Sequence, residues 1–347
     1  MTTPQKPSFA AIRPKSVTVS QATLVKTGFV DSERQLPLLV EPAMAGINLR
    51  TWAGANRDWI EKQLLSKGAI LFRGFGIDSI TQFQEVAQAM CPELLDYNER
   101  AASRNEVGKN VYTSTEFPAN QIIPMHHEMS YSHNWPTKLW FYCDQPAAVG
   151  GRTPVADDRK VFQRIDPRIR EKFETKRVMY VRNYGEGVDM SWQEAFQTDD
   201  RASVEEYCRR AYATVEWKDG DRLRTRSVRR AVLADPRTGD SLWFNHAHMF
   251  HVSNLEPAVR EALLGQFAED ELPRNAFYGD GTPIESSVLE EIRGIYEEEA
   301  IRFEWRKGDI LLVDNFLVTH GREPFSGPRR ILVTMGELFD SVAAFGA

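Results

Sequence analysis

The residues best suited to do chemistry lie in Pro124-Met125-His126-His127-Glu128-Met129-Ser130-Tyr131, where two imidazoles and a carboxylate occupy consecutive positions. A second half lies far downstream, in Asp314-Asn315-Phe316-Leu317-Val318-Thr319-His320-Gly321-Arg322. Together the two stretches could supply two histidines and one carboxylate to a single ion. Such a set leaves coordination positions open for exchangeable ligands. A non-haem Fe(II) centre needs those positions if it is to bind a co-substrate and O2.

On a strand alternate side chains share a face, so His126, Glu128 and Ser130 point one way, and Met125, His127 and Met129 the other. On a helix His126 and Glu128 would stand about 200° apart and could not grip one ion. The residues alone leave alternatives open. His127 could be the ligand, Glu128 a salt-bridge partner, and His320 a core histidine bonded to backbone. A rival cluster, Asn245-His246-Ala247-His248-Met249-Phe250-His251, sets His246 and His248 on one face if it is a strand. That spacing suits zinc, as in a hydrolase, but no nearby carboxylate or thiolate completes it. A structural or substrate-pocket role is the stronger expectation for that cluster. A non-catalytic binding protein, with its histidines kept as a structural or sensing metal site, is the other alternative.

The elements that must position these residues are mostly short and β-prone. After a polar, proline-containing arm over residues 1–25, Leu36 to Val40 reads as an edge strand or an extended entry because it is short and holds Pro37. Residues 48–67 have helical spacing, Gly68 to Phe75 reads as a buried strand, and Ser79 to Met90 as a second helix capped by Ser79 or Thr81. Asn110 to Thr115, the His126 stretch and Leu139 to Cys143 are strand candidates separated by turn residues. Asp157 to Phe173 reads as a helix and Val178 to Asn183 as a strand. Residues 184–230 are polar and helix-prone, and read as an insertion or lid over a pocket. Strands return at Val232–Ala234, Ser241–Asn245, Ile301–Trp305, Ile310–Asp314 and Arg330–Met335, with helices at Pro257–Leu264 and Ser286–Glu299. Many short strands with helices at the N-terminal end and in the insertion predict an α+β, mainly β fold. Its core would be a double-stranded β-helix, or jelly roll, in one domain over residues 26–347.

Composition narrows the classes. The chain has 347 residues, 42% of them hydrophobic, enough for a large core. Net charge is −6 and the basic residues are mostly scattered, which gives nucleic-acid binding little support. Three cysteines (Cys91, Cys143, Cys208) without pairing or zinc spacing indicate a reducing, cytoplasmic setting. The first residues lack the apolar core of a signal peptide, and no run approaches membrane-spanning length.

Ten residues after His320 stands Arg330, in Gly327-Pro328-Arg329-Arg330-Ile331. A guanidinium matches a carboxylate in two parallel hydrogen bonds. 2-Oxoglutarate needs both a metal for its 2-oxo acid end and a cation for its distal carboxylate.

At this point the residues carry a resemblance. The His126-to-Tyr131 stretch, Gly150-Gly151-Arg152-Thr153-Pro154-Val155-Ala156-Asp157, Trp243-Phe244-Asn245 and His320 through Arg330 follow one another in the order of a known family. The chain resembles the taurine dioxygenase-like (TauD/TfdA) Fe(II)/2-oxoglutarate-dependent dioxygenases, and in particular their SyrP-like branch. The resemblance implies His126, Glu128 and His320 as iron ligands, with Thr153 and Arg330 around the distal carboxylate of 2-oxoglutarate. Arg329, on the opposite face of a strand, is expected to point away. Family halogenases replace the carboxylate ligand with a small residue, so Glu128 implies hydroxylation or a related oxidation. Taurine-type members carry a substrate-binding Arg four residues after the 2-oxoglutarate Arg, where this chain has Thr334.

The SyrP-like branch is similar to enzymes that oxidise amino acids or amino-acid-derived units in specialised metabolism, some of them tethered to a carrier protein. Ser130, Asn245 and His248 are the polar candidates for the substrate pocket. The basic cluster Arg222, Arg224, Arg226, Arg229 and Arg230 reads as a solvated face or as a receptor for an acidic carrier protein or a substrate carboxylate.

Overall fold

The computed structural model describes residues 24–96, 105–114, 117–185 and 190–346. The expected arm over residues 1–25 therefore lies outside the described residues except for its last two. Among the described residues, no helix is long and apolar enough to cross a membrane.

The chain opens with β1 (Val25–Asp31) and β2 (Leu36–Pro42), then α1 (Leu49–Ala55), α2 (Arg57–Lys67), β3 (Ala69–Phe72) and α3 (Ile80–Met90). The single helix expected over 48–67 is two, parted at Asn56, whose side-chain amide turns back to the Trp52 carbonyl at 2.7 Å. Asn48 caps the first helix, Ser79 caps α3, and Gly68 ends α2 in the left-handed conformation that glycine adopts without a Cβ clash. β2 is not an edge strand, because it pairs antiparallel with β1 and parallel with β3. Pro37 is tolerated there because the pairing with β3 begins only at Leu38.

Next come β4 (Glu106–Gly108), β5 (Val111–Thr113), β6 (Ile123–His126), β7 (Asn134–Gln145), β8 (Val149–Gly150) and β9 (Val155–Asp157). The expected helix 157–173 is split into α4 (Asp158–Arg164) and α5 (Pro167–Lys176). Pro167 cannot continue a helix but starts one well, with Asp166 as its cap. β10 (Val178–Tyr184) leads to α6 (Trp192–Phe196), α7 (Arg201–Arg210), β11 (Ala213–Lys218) and β12 (Arg222–Arg229). The segment 184–230 is thus helical only in its first half. Its second half is a hairpin completing a four-stranded sheet of order β11-β12-β10-β15, in which β15 is Arg274–Tyr278.

Between them lie β13 (Leu233–Ala234), β14 (Ser241–Leu242), α8 (Ala247–Phe250) and α9 (Pro257–Leu264). After β15, α10 (Ser286–Glu299) precedes an extended stretch at 301–305 that makes one bridge, Ile301 to Val155, rather than a strand. The chain closes through β16 (Ile310–Asp314), β17 (Val318–Arg322), β18 (Phe325–Ser326) and β19 (Arg330–Asp340).

The main sheet has eight strands in the order β1-β2-β3-β16-β7-β19-β5-β4. Alternation along its central strands serves two cores. Ile70, Phe72, Trp140, Tyr142, Ile310 and Leu312 face α1, α2 and α3. Leu139, Phe141, Leu311, Val313, Ile331 and Val333 face the opposite core, together with Met125, Val155 and Val318 of a three-stranded sheet ordered β6-β17-β9. The buried strands are therefore near-continuous apolar runs. Two of the metal-ligating candidates, His126 and His320, lie on that small sheet, and Glu128 follows it in a turn.

Candidate metal centre

The centre begins with a register. His126 ends β6 and stands directly opposite His320 in β17, with ring centroids 4.5 Å apart. The close pairing needs Gly321, because a Cβ there would come within 2.7 Å of the Ile123 carbonyl oxygen. The strand stops at His126, so Glu128 is presented by a turn in which Met129 has φ +59°. One Oε of Glu128 lies 3.9 Å from His320 Nε2. Ligand atoms of His126, Glu128 and His320 all fall within 4.8 Å of one another, and among the described residues they form the cluster able to hold a metal ion.

The hydrogen bonds around the ligands favour coordination. His126 Nδ1–H donates to the Pro124 carbonyl at 2.8 Å, which leaves Nε2 with its lone pair for an ion. Asn315 bolts the turn: its Oδ1 accepts from Glu128 N–H at 2.8 Å, and its Nδ2 donates to the carbonyls of Glu128 and Pro136 at 2.9 and 2.8 Å. His127 points away, donating through Nδ1 to the Asn315 carbonyl at 2.7 Å, with Nε2 3.2 Å from Asp158 Oδ1. Burial raises the Asp158 carboxyl above its ordinary value, while the adjacent His127 opposes the shift. The two histidines of the dipeptide therefore do different jobs, one able to ligate and one fixing the frame.

A cavity of about 440 Å³ is lined by both histidines together with Thr153, Arg322, Arg329 and Ile331. The expectation for the arginine pair is reversed. Arg330 turns outward to Asp144 at 3.3 Å, and its side chain is 45% exposed. Arg329, just before β19, lines the cavity with Ile331 and Val333 of that strand. Its Nε–H donates to the Gly151 carbonyl at 3.0 Å, and a Cβ at Gly151 would meet that same nitrogen at 2.9 Å. Burial, with Arg322 nearby, pushes the Arg329 guanidinium down to about 10, which leaves it a cation at neutral pH. Thr153 lies where expected, its hydroxyl accepting from Trp305 Nε1–H at 3.0 Å. The residue four beyond the cavity arginine is Val333 rather than Thr334, whose hydroxyl is spent on the Asn110 carbonyl at 2.7 Å.

The other candidates divide. Ser130 Oγ meets His246 Nδ1 at 2.5 Å and lines a second cavity, of about 480 Å³, with Trp135, Arg229, Arg230 and Phe244. Asn245 is structural: its amide donates to Ala231 O at 3.1 Å and its carbonyl oxygen accepts from Ala247 N–H at 3.0 Å. His248 is structural too, its Nε2–H donating to the Met125 carbonyl at 2.7 Å. The zinc pair fails because residues 247–250 are helical, so His246 and His248 do not share a strand face. His246 packs 5.4 Å from the His126 ring instead, and burial pushes its pKa well below the usual histidine range. Of the basic cluster, Arg224 and Arg226 are engaged with Asp270 and Glu216 rather than displayed, leaving Arg229 and Arg230 at the second cavity.

Arg329, Asn315 and Asp158 were the residues the sequence reading missed. Nothing local separates the first from Arg330. The other two carry no motif, since their roles arise from contacts with residues 187 and 31 positions away, respectively.

Two histidines, a carboxylate and a cation-lined cavity define a metal-dependent oxygenase that draws on an anionic co-substrate. The comparisons with known proteins agree. Residues 32–335 match the Taurine catabolism dioxygenase TauD, TfdA family, and the chain belongs to that family. It is an Fe(II)- and 2-oxoglutarate-dependent dioxygenase. It is 42% identical over 276 residues, 80% of this chain and 84% of the relative, to the dapdiamide synthesis protein DdaC of Enterobacter agglomerans. It is 32% identical over 290 residues, again 80% and 84%, to a clavaminate synthase-like protein of Arabidopsis thaliana. In fold it is similar to PvcB of Pseudomonas aeruginosa, with a TM-score of 0.55, 16% identity and 94% of each chain covered. AAD-2, solved with Mn(II) and N-oxalylglycine, matches with a TM-score of 0.51 and 11% identity over 90% of this chain and 96% of that one.

Proposed function

We propose that this dioxygenase hydroxylates, or otherwise oxidises, an unactivated carbon of an amino acid or amino-acid-derived substrate in the cytoplasm, in the biosynthesis of a specialised metabolite. The observation that carries the reading is one cavity lined by both His126 and His320 and by Arg329 and Thr153. That combination suits a ligand with a chelating head and a distal carboxylate. The 42% identity to a dapdiamide synthesis protein supports the substrate class, and the retained Glu128 supports oxygen transfer over halogenation. The fold is read as a jelly roll in one domain, with the 184–230 segment as a lid.

Iron bound by His126, Glu128 and His320 would supply the redox chemistry that couples 2-oxoglutarate, O2 and substrate to succinate, CO2 and oxidised product. The protein's own part is placement. Arg329 and the Thr153 hydroxyl hold the distal carboxylate, Asn315 keeps Glu128 in its turn, and the apolar wall of Phe141, Ile331 and Val333 limits water around the co-substrate. Ser130 faces the second cavity as the substrate side, where Arg229 and Arg230 would meet a substrate carboxylate or an acidic carrier protein presenting the substrate.

The experiment is anaerobic titration of the Fe(II)-loaded protein with 2-oxoglutarate. A weak visible charge-transfer band is expected, followed by substrate-coupled succinate release in a screen of free amino acids and carrier-bound aminoacyl groups. No band in the wild-type protein would overturn the co-substrate assignment. A band without coupling to any amino-acid-derived compound would overturn the substrate class.

A further inference from the structure

The cavity that receives Arg329 holds a second guanidinium for which no role has been assigned. Arg322 follows His320 by two residues on β17, is only 6% exposed, and lines the same cavity. Its terminal nitrogens donate to three carbonyls of a single loop: Phe117 at 2.9 Å, Pro118 at 2.6 Å and Gln121 at 2.9 Å. Phe325 N–H donates to Ala119 in the same loop at 2.8 Å, and the Phe325 ring packs against the guanidinium at 5.2 Å. The loop leads directly into β6 and His126.

Two features make this more than a structural latch. No ion pair neutralises Arg322 among the described residues, and its buried Nε–H has no acceptor. Two cations share the cavity, and none of the described residues lining it is acidic. Each guanidinium is therefore a like-charge neighbour of the other across the cavity. Carbonyl oxygens accept from the terminal nitrogens of Arg322 but cannot cancel its charge.

We propose that Arg322 is a positioning residue that supplies a second positive charge to the co-substrate pocket, so that the pocket selects a dianionic over a monoanionic 2-oxo acid. The inference rests on the 2-oxoglutarate reading above. Arg329 grips the distal carboxylate, and Arg322, whose terminal nitrogens are committed to the 117–121 loop, acts through the field it adds. A unit charge several ångströms away in a partly buried site changes dianion affinity by about tenfold.

The test is calorimetric titration of the full-length Mn(II)-loaded protein with 2-oxoglutarate and with 2-oxobutyrate, which keeps the chelating head but lacks the distal carboxylate. Arg322→Gln should weaken 2-oxoglutarate about tenfold and 2-oxobutyrate about threefold or less, with the gap narrowing at high salt. Arg322→Lys keeps the charge without the fork and should stay within about threefold of wild type for both. Equal weakening of the two ligands by Arg322→Gln, or loss in Arg322→Lys as large as in Arg322→Gln, would show a latch only and overturn the proposal. If Arg322→Gln does not fold, the Lys variant still decides: retained dianion preference supports the charge, and lost preference overturns it. A wild-type protein that does not prefer 2-oxoglutarate to 2-oxobutyrate would instead refute the co-substrate reading itself.

Discussion

His126 and His320 are 194 residues apart yet meet ring to ring across paired strands, whereas His246 and His248, two apart, are turned to different tasks by one helical turn. The first pair converges with Glu128, their ligand atoms lying within 4.8 Å of one another. In the second, His246 Nδ1 meets Ser130 Oγ and His248 Nε2–H donates to the Met125 carbonyl, so the two rings face different partners. Ligand capacity follows from where rings converge in space, more than from how closely histidines sit in the chain.

The largest effect that can break this comparison is on the metal itself. His126→Ala, Glu128→Ala and His320→Ala should each abolish stoichiometric Fe(II) or Mn(II) binding and substrate-dependent succinate release. His248→Gln should leave metal stoichiometry at the wild-type value. Metal analysis of the purified variants decides it, and loss of metal from His248→Gln with retention in His320→Ala would invert the assignment.

The next contrast is between adjacent arginines. Arg329→Met removes a charged, bidentate-capable partner from the cavity and should raise the 2-oxoglutarate requirement about a hundredfold. Arg330→Met loses only its outward pairing with Asp144 and should change it less than about twofold. Steady-state dependence on 2-oxoglutarate concentration separates them. Equal effects would mean that the strand face is misassigned.

These contrasts also show how far the sequence can be read. His126, Glu128 and His320, which the structure draws into one cluster, and Thr153 at the neighbouring cavity were named through the family resemblance, since residue types alone left other assignments open. Which arginine lines that cavity was not legible, because Arg329 lies just before its strand and nothing local separates it from Arg330. Asn245 and His248 looked like pocket residues because they are polar among apolar neighbours. A buried amide or imidazole that satisfies backbone groups has the same signature. The hairpin at 213–229 was missed since residues 184–230 are polar and helix-prone, and its arginines read as a solvated face or a receptor for an anionic group. Arg224 is instead buried, held by Asn183 and Asp270 from elsewhere in the chain. The sheet-rich α+β reading survived these errors because the apolar central strands β7, β16 and β19 are unmistakable on either reading.

The smallest expected effect concerns the histidines that do not bind metal. Burial pushes the His248 imidazole down to about 3, and the His251 imidazole down to about 4, from an ordinary value of 6.5. A depressed folded-state pKa means that the unfolded chain takes up the protons first. Stability is therefore fully present above about pH 6.5 and falls as pH drops toward the folded values. At pH 5 each group costs about 2 kcal/mol relative to neutral pH, from one and a half units at about 1.4 kcal/mol per unit. His248→Gln keeps a side-chain N–H for the Met125 carbonyl but cannot titrate. In the metal-free protein it should reduce the slope of unfolding free energy against pH between 6.5 and 5 by about 1 kcal/mol per pH unit on average. Urea unfolding across that range measures the slope. An unchanged slope would mean that His248 charges as readily in the folded protein as in the unfolded chain, so that its burial does not distinguish it from a solvated histidine.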